Sequence, residues 1–276
     1  MANKKKTDIE YDSNPFTLSF KGFGLLADYA RGVMIVLLVL SGFGFIANLF
    51  SGFGETEFEE STSSELSFES DISTTADSIE FSEVLGVALL IAGVLAFVLL
   101  IGLLITTIFK GFVAAGTIAA SEKRQITIGQ AFSAMADRFG TLYVAELLAA
   151  LRILGGYILL IIPGIRAQLR YQALPYVVMT NPDMTATQAV NETKRLYNGH
   201  LIESFGIATV GAIIPFIGTA FASCGYTLSA QQLAAYDKAG KETPSTHPLN
   251  YIGIALLALL FFFVGGLIAL VIALAD

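Results

Sequence analysis

Charged residues are scarce in this chain: they make up 14% of its 276 residues, whereas 54% of the residues are apolar. The mean hydropathy of +0.68 lies well above that of a typical water-soluble domain of this length. The scarcity of charge excludes an ordinary soluble globular domain. The composition therefore predicts an integral membrane protein.

Side chains that commonly carry catalysis are equally rare. Cys224 is the only cysteine, so no intrachain disulfide can form, and we interpret it as a small core residue. The two histidines, His200 and His247, lack metal-ligand spacing and are predicted to lie at solvated helix ends. Because enzymes of the common classes need clustered acids, bases or nucleophiles, we expect no enzyme activity, no metal and no cofactor. The dispersed basic residues also argue against nucleic-acid binding.

Basic residues are absent from the segment 51–83, which holds ten of the 23 carboxylates and 13 Ser or Thr residues. Without it 13 acids face 16 bases, so the acidity belongs to one loop. The default interpretation is a solvated, largely disordered external loop whose like charges repel. Its alternating stretch SELSFESDIS leaves a short hairpin of strands open as an alternative. The carboxylates lack the spacing of a calcium-binding loop.

Two long runs contain no charge at all, 26 residues at 84–109 and 27 residues at 249–275. A helix needs about 20 apolar residues to cross a hydrocarbon layer about 30 Å thick, so each run predicts a span. Five further spans are predicted from shorter or charge-containing runs, and Pro163-Gly164 is interpreted as the turn of a transmembrane hairpin. The seven predicted spans are 32–50, 84–109, 141–162, 165–180, 200–216, 218–236 and 249–275.

The positions of lysine and arginine orient these spans, because short cytoplasmic loops are enriched in both. With the N-terminus inside, 13 of the 16 basic residues are cytoplasmic, while the acidic loop and the C-terminus are external. Residues 1–31 then form a cytoplasmic segment with an interfacial helix, and residues 32–276 form a single transmembrane domain. The three exceptions, Arg152, Arg166 and Arg170, all belong to the hairpin that contains Pro163-Gly164.

Amphipathic segments precede three of the predicted hairpins. After Thr127 apolar residues recur at helical spacing, and Thr127 is placed to cap the helix. The same Thr-x-x-Gln-Ala pattern starts at Thr185, and residues 16–30 match more weakly, although Asn14-Pro15 echoes Asn181-Pro182. This order predicts an internal repeat, in which an interfacial helix precedes a transmembrane hairpin three times and a final span follows.

Five charged residues are predicted within or near the hydrocarbon, where an unpaired charge costs at least about 2.5 kcal/mol at the centre of the bilayer. One hypothesis pairs Arg152 or Arg170 with a carboxylate and lets Arg166 reach the outer headgroups. The other makes the arginines a basic pocket for a lipid phosphate or another anion, since Arg166 and Arg170 share a helix face. The five candidates are Glu146, Arg152, Arg166, Arg170 and Glu203.

One segment, residues 163–200, resembles a known family. Its sequence PGIRAQLRYQALPYVVMTNPDMTATQAVNETKRLYNGH is similar to the signature of bacterial multi-span proteins of the domain-of-unknown-function 975 family. It is also similar to the membrane domain fused to some glycerophosphodiester phosphodiesterases. The shared elements include Pro163, Gly164, Tyr171, Asn181, Pro182 and Gly199. The resemblance implies a polytopic helical fold with no established activity and no catalytic residues to transfer. The chain departs from the pattern by its acidic insert.

Together these patterns predict an all-α polytopic transmembrane bundle of about seven spans, with interfacial amphipathic helices before the hairpins. We expect a non-catalytic protein of the bacterial envelope that interacts with lipids or supports an envelope assembly. Its expected partners are membrane lipids and other membrane proteins. The alternative is a small-molecule or ion transporter, a class that uses internal repeats and helix breaks such as those expected at Pro163-Gly164 and Pro215.

Overall fold

The computed structural model describes residues 11–41, 81–214 and 217–256, together with a few positions of the helix that follows. Within these ranges every regular element is a helix, which confirms the predicted all-α class. Predictions for residues 42–50, for loop 51–83 up to residue 80, for Pro215 and for most of the last span lie outside the described residues.

The described chain before residue 252 contains ten α-helices and one 3₁₀ turn, Pro248–Tyr251. The short helices α1, α4 and α8 each precede a pair of helices, which agrees with the order of the predicted repeat. The helices are α1 (Pro15–Tyr29), α2 (Arg31–Ser41), α3 (Phe81–Ser121), α4 (Ile128–Ala136), α5 (Phe139–Leu159), α6 (Ile161–Tyr171), α7 (Leu174–Thr180), α8 (Ala186–Leu196), α9 (Leu201–Ile213) and α10 (Gly218–Lys238).

Threonine side chains start α4 and α8 in the same way. The Thr127 side chain accepts a hydrogen bond from the Gln130 backbone, and the Thr127 N–H donates to Gln130 Oε1 at 3.0 Å. Thr185 and Gln188 form the same reciprocal pair, with a backbone to side-chain distance of 2.8 Å. Such capping boxes satisfy N–H groups that the first helical turn leaves without partners. The predicted cap at Thr127 is confirmed.

The two Asn-Pro pairs have different structural roles. Asn14 starts α1, and its Oδ1 accepts from the Phe16 N–H at 3.0 Å, with Pro15 in the first turn. Asn181 follows the end of α7, and its side chain donates to the Val177 carbonyl at 2.9 Å. The two pairs therefore share their sequence but not their local structure, because Asn14 caps the start of α1 whereas Asn181 follows the end of α7 and lies four residues before Thr185, the cap of α8.

Helix α3 passes through two different surroundings. Residues 85–106 carry no charge and are exposed, apart from the half-buried Leu103. From Thr107 to Ala120 the helix is mostly buried against α1, α5, α7 and α10. The exposed part is about 33 Å long, close to the thickness of a bilayer's hydrocarbon layer. Among the described helices, α3 and α5 are long and apolar enough to cross a membrane.

The turn between α5 and α6 lies at Leu160, whose extended backbone (φ −164°, ψ 151°) separates the two helices. The predicted turn at Pro163-Gly164 is wrong, because Pro163 lies in the first turn of α6. Proline is tolerated there, since its missing N–H would have no helical partner. Gly164 contacts α5: a Cβ built on Gly156 would lie 2.9 Å from the Gly164 Cα. The two glycines thus bring the arms into backbone contact.

Other predicted spans differ from the observed helices in length. The predicted span 165–180 is divided into α6 and α7, which separate at Gln172 and Ala173. Helix α9 has 13 residues. At 1.5 Å per residue it is about 20 Å long, shorter than a complete crossing. The bounds of helix α10 match the predicted range 218–236, but α10 is not among the described helices that have the length and apolarity of a span. Because two described helices have the length and apolarity of a span, the count of seven remains a prediction.

The two larger of the three hydrophobic clusters among the described residues join most of the helices. The first surrounds Tyr197, which is fully buried and packs with Leu142 of α5, Leu174 of α7 and Ala230 of α10. The second includes Cys224, which is fully buried, so its interpretation as a small core residue is confirmed. The first cluster holds α8 against α5 and thereby positions the candidate site.

Candidate anion-binding site

Arg152 reaches from α5 toward α6 and α8. Its Nη1 donates to the Tyr171 hydroxyl and to Asn191 Oδ1, both at 3.3 Å. Both acceptors are neutral, so they orient the guanidinium without cancelling its charge. The contact with Tyr171 places Arg152 at the level of the C-terminal end of α6, as the antiparallel pairing of the two helices predicts.

Arg166 and Arg170 lie one turn apart on α6, so their side chains share a face. Arg166 is exposed, whereas Arg170 is half-buried and its buried Nε has no hydrogen-bond acceptor. The ion pairs found in the described part of the chain involve neither arginine. Because Tyr171, which accepts from Arg152, directly follows Arg170, Arg152 and Arg170 lie at a similar level of the α5–α6 pair, and Arg166 lies one turn nearer the tip. These three positive charges lack a carboxylate partner among the described residues.

Glu146 is paired with Lys110 of α3 and not with an arginine. The Lys110 Nζ lies 3.3 Å from Oε2 and 3.4 Å from Oε1 of Glu146, whose side chain is 7% exposed. Among the described residues neither Arg152 nor Arg170 forms an ion pair, so the hypothesis that one of them pairs with a carboxylate finds no support there. Lys110 lies just beyond the predicted span 84–109, and it reaches Glu146 because α3 continues to Ser121. No proline lies between Lys110 and Ser121, and this absence is the sequence signal that could have revealed the longer helix.

Glu203 lies in the first turn of α9 and is 2% exposed. Tyr11 donates to its Oε2 at 2.6 Å, and Thr246 donates to its Oε1 at 3.3 Å. The N–H groups at the start of a helix also favour a carboxylate at this position. Glu203 therefore joins the segment before α1 to the segment before the 3₁₀ turn, and its hydrogen bonds come from neutral donors and a histidine.

The two histidines differ in their surroundings. The Nδ1 of His200 lies 3.3 Å from Glu203 Oε1, and its Nε2 lies 3.5 Å from the Thr243 hydroxyl. The prediction of a solvated helix end is therefore wrong for His200, because the neighbouring buried carboxylate engages it. His247 precedes the 3₁₀ turn, and its Nδ1 accepts from the Leu249 N–H at 3.2 Å.

Tyr11 is a site residue that sequence reasoning missed, since 192 residues separate it from Glu203. Burial, reinforced by the neighbouring Glu203 carboxylate, raises the pKa of the Tyr11 phenol. The phenol therefore remains a proton donor through the neutral pH range.

Replacing Tyr11 with phenylalanine is expected to lower the free energy of unfolding by about 1–3 kcal/mol, because a buried Glu203 oxygen loses its shortest donor. Denaturant unfolding in mild detergent micelles, followed by circular dichroism, measures the change. The control is Tyr251→Phe, which removes an exposed ring's hydroxyl and should change stability by less than about 0.5 kcal/mol. Equal effects of the two substitutions would contradict the role of Tyr11.

A charged cluster on the surface joins α8 to the end of α10. Arg195 Nη2 lies 2.7 Å from Glu192 Oε1 and 2.8 Å from Asp237 Oδ2. The hydrogen bonds from Arg195 lower the pKa of both carboxyl groups, and those carboxylates in turn raise the pKa of Arg195. The cluster is largely exposed, so solvent screening keeps its contribution to stability small. Its contacts link α8 to the end of α10.

Comparison with known proteins gives no relative by which to interpret this site. No family model, no curated protein and no solved structure matches the chain. The resemblance of residues 163–200 therefore remains a prediction. Within the described ranges, no group of three or more His, Cys, Asp or Glu side chains is arranged to hold a metal ion. The function has to be argued from the arginines and the surface around them.

Proposed function

We propose that the protein is a non-catalytic integral membrane protein that binds the phosphate groups of anionic lipids through Arg152, Arg166 and Arg170. The observation that carries this proposal is that the three arginines of the α5–α6 hairpin form no ion pair with any described carboxylate, while the buried Nε of Arg170 has no acceptor. A guanidinium stays charged at physiological pH and can bind two phosphate oxygens at once. In the envelope such a protein would interact with lipids or support a membrane assembly.

The surface beside the arginines supports a lipid partner over a soluble anion. Five consecutive residues at the end of the α5–α6 hairpin, residues 158–162, are isoleucine or leucine and are 69–77% exposed. Water-soluble surfaces rarely carry so large a contiguous apolar patch. Acyl chains can cover this patch while the phosphate of the same lipid meets the arginines.

The proposed topology has a cytoplasmic N-terminus and an external acidic loop 51–83. It is supported by the uncharged, exposed surface of α3 and by the distribution of lysine and arginine. Seven crossings at the predicted ranges are the finer form of this proposal. The length of α3 supports its second span, whereas the 11 residues of α6 and the 13 residues of α9 count against its fourth and fifth spans.

Native mass spectrometry of the protein, purified in mild detergent from membranes that contain anionic phospholipid, tests the lipid-binding proposal. We expect the wild-type protein to retain anionic lipid and the Arg166→Ala plus Arg170→Ala variant to lose at least about 90% of it, since removing two guanidinium contacts of about 1 kcal/mol each lowers affinity more than tenfold.

The matched control for this experiment is Lys238→Ala plus Lys241→Ala, which removes the same charge from two exposed positions at the end of α10. Retention of lipid by the control together with loss by the arginine variant separates a local site from general charge attraction. Unchanged retention in the arginine variant would rule out the proposal.

The transporter alternative has weaker support. It draws on an internal repeat and on helix breaks at Pro163-Gly164 and Pro215. Pro163 lies within the first turn of α6, where it does not interrupt a helix, and Pro215 lies outside the described residues. Flux of a broad substrate panel into proteoliposomes would revive this alternative.

A further inference from the structure

We propose that the α5–α6 hairpin is a re-entrant loop whose tip ends inside the hydrocarbon of the bilayer and whose two arms start and finish on the cytoplasmic side. The partner of the tip is the lipid acyl chain. The proposal rests on the membrane location proposed above, but not on phosphate binding. It replaces two complete crossings, the predicted spans 141–162 and 165–180, by one incomplete insertion.

The tip has the composition of a segment surrounded by lipid. Residues 158–163 are all isoleucine, leucine or proline, and the five aliphatic ones are 69–77% exposed. The tip of a complete hairpin would lie among headgroups and water, where polar turn residues are usual. The backbone also suits an apolar medium, because Pro163 lacks one N–H donor of the helix start and the Leu160 N–H donates to the Gly156 carbonyl at 3.0 Å.

The register between α3 and α5 gives the depth of the tip. Lys110 pairs with Glu146, and a Cβ built on Gly111 would meet the Leu142 side chain, so the two helices run antiparallel. From Glu146 to Leu160 helix α5 rises about 21 Å, so the tip reaches no farther along α3 than the level of residue 96, and any divergence of the two helix axes makes it shallower. That level is the middle of the exposed stretch 85–106. The tip therefore lies no deeper than the centre of the layer that α3 would cross and does not reach its far side.

Helix α6, the arm that returns from the tip, is also too short to cross the whole hydrocarbon layer. Helix α6 has 11 residues. Its length of about 16 Å covers half of a hydrocarbon layer. Helix α7, which follows, is buried, and its Met179 packs against the cluster that contains Phe112 and Ala115 of α3. Those α3 residues lie beyond the lipid-exposed stretch, on its cytoplasmic side in the proposed topology. The returning chain has thus left the bilayer core by the end of α7.

The charges agree with this arrangement. In a re-entrant hairpin Arg152 and Arg170 lie at the base, beside the amphipathic helix α8, and Arg166 extends from the arm toward the same headgroups. All 16 lysines and arginines are then on the cytoplasmic side, and the three exceptions of the seven-span arrangement disappear. The polar pair between the arms is self-contained, since the Tyr157 hydroxyl donates to Gln168 Oε1 at 2.6 Å.

Depth measurement on the full-length protein tests the proposal. Single cysteines at Leu160 and, as a reference near the same depth, at Leu95 of α3 are introduced with Cys224→Ser and labelled with an environment-sensitive fluorophore. The protein is reconstituted in vesicles that carry a quencher either at the middle of the acyl chain or at the headgroup. We expect the label at position 160 to match the label at position 95, with stronger quenching from the acyl chain than from the headgroup.

A second measurement uses intact cells and a membrane-impermeant maleimide. A cysteine at Ser64, in the loop proposed to be external, should be labelled from outside. A cysteine at Leu160 should not be labelled from outside. Leu159→Cys serves in its place if the first variant does not fold. Outside labelling at the tip, stronger quenching from the headgroup, or quenching from neither lipid would overturn the re-entrant hairpin. If the tip is deep but the protein retains no anionic lipid, the re-entrant hairpin is supported and the phosphate-binding proposal is ruled out.

Discussion

Replacing Lys110 with methionine is expected to lower the free energy of unfolding by about 3 kcal/mol, because it leaves the Glu146 carboxylate buried without a counter-charge. The Glu146 side chain is 7% exposed, whereas that of Lys110 is 23% exposed. The reverse substitution, Glu146→Gln, should therefore cost less, since the lysine retains partial access to solvent or headgroups. Unfolding in detergent micelles by titration with a denaturing surfactant provides both values.

The double variant Lys110→Met plus Glu146→Leu separates the ion pair from its surroundings. Two apolar side chains of similar volume remove both charges together, so the double variant should recover most of the stability that Lys110→Met loses. Additive losses in the double variant would show that each side chain is needed for its packing and not for the pair. An equal cost of Lys110→Met and Glu146→Gln would contradict the asymmetry that burial predicts.

Substitution of Gly156 with alanine is expected to destabilise the α5–α6 hairpin by about 2 kcal/mol, because the added methyl group overlaps the opposite arm. Its Cβ would lie 2.9 Å from both the Cα and the N of Gly164 and 3.1 Å from the Pro163 carbonyl carbon. All three atoms belong to the backbone, so no side-chain rotation relieves the contact. The two arms would have to separate.

The neighbouring glycine provides the matched control for this prediction. A Cβ built on Gly155 meets no heavy atom within 4 Å. Alanine at this position should stabilise the helix by up to about 1 kcal/mol through its higher helix propensity. The same unfolding measurement applies to both variants, and similar values at Gly155 and Gly156 would contradict the close approach of the arms.

Local sequence signals predict the fold where the cause is local. Thr127 and Thr185 begin helices because each forms a capping box with a glutamine three residues later, an interaction that depends on no other part of the chain. The start of α1 after Asn14 has a similar local cause. Helix starts of this kind can be predicted from a few residues.

The turn of the α5–α6 hairpin could not be predicted in the same way. Residues 158–162 are uniformly apolar, so hydropathy contains no signal for a break at Leu160. The pair Pro163-Gly164 predicts a turn because such a pair commonly marks one. In the structure the pair serves the packing of the two arms, which depends on Gly156 and is invisible to a local pattern.

The partners of the buried carboxylates depend on long-range contacts. Glu203 is bonded to Tyr11, which lies 192 residues away, and the sequence has no pattern that relates them. Lys110 directly follows the predicted span 84–109, and the sequence has no pattern that relates it to Glu146, which lies 36 residues away and compensates its charge. The candidate arginines were predictable as a group, since charged residues in an apolar hairpin are conspicuous, but their neutral partners were not.

The uninterrupted helix α3 also bears on the kind of membrane this protein suits. Its exposed, uncharged stretch continues as one helix into the buried half, so in the proposed membrane location its length relative to the bundle stays fixed in a thicker or thinner bilayer. A mismatch with the exposed length of about 33 Å must instead be met by tilting the helix or by deforming the lipid, at a fraction of a kcal/mol per Å. The protein is therefore expected to partition toward bilayers whose hydrocarbon thickness matches the exposed length of α3.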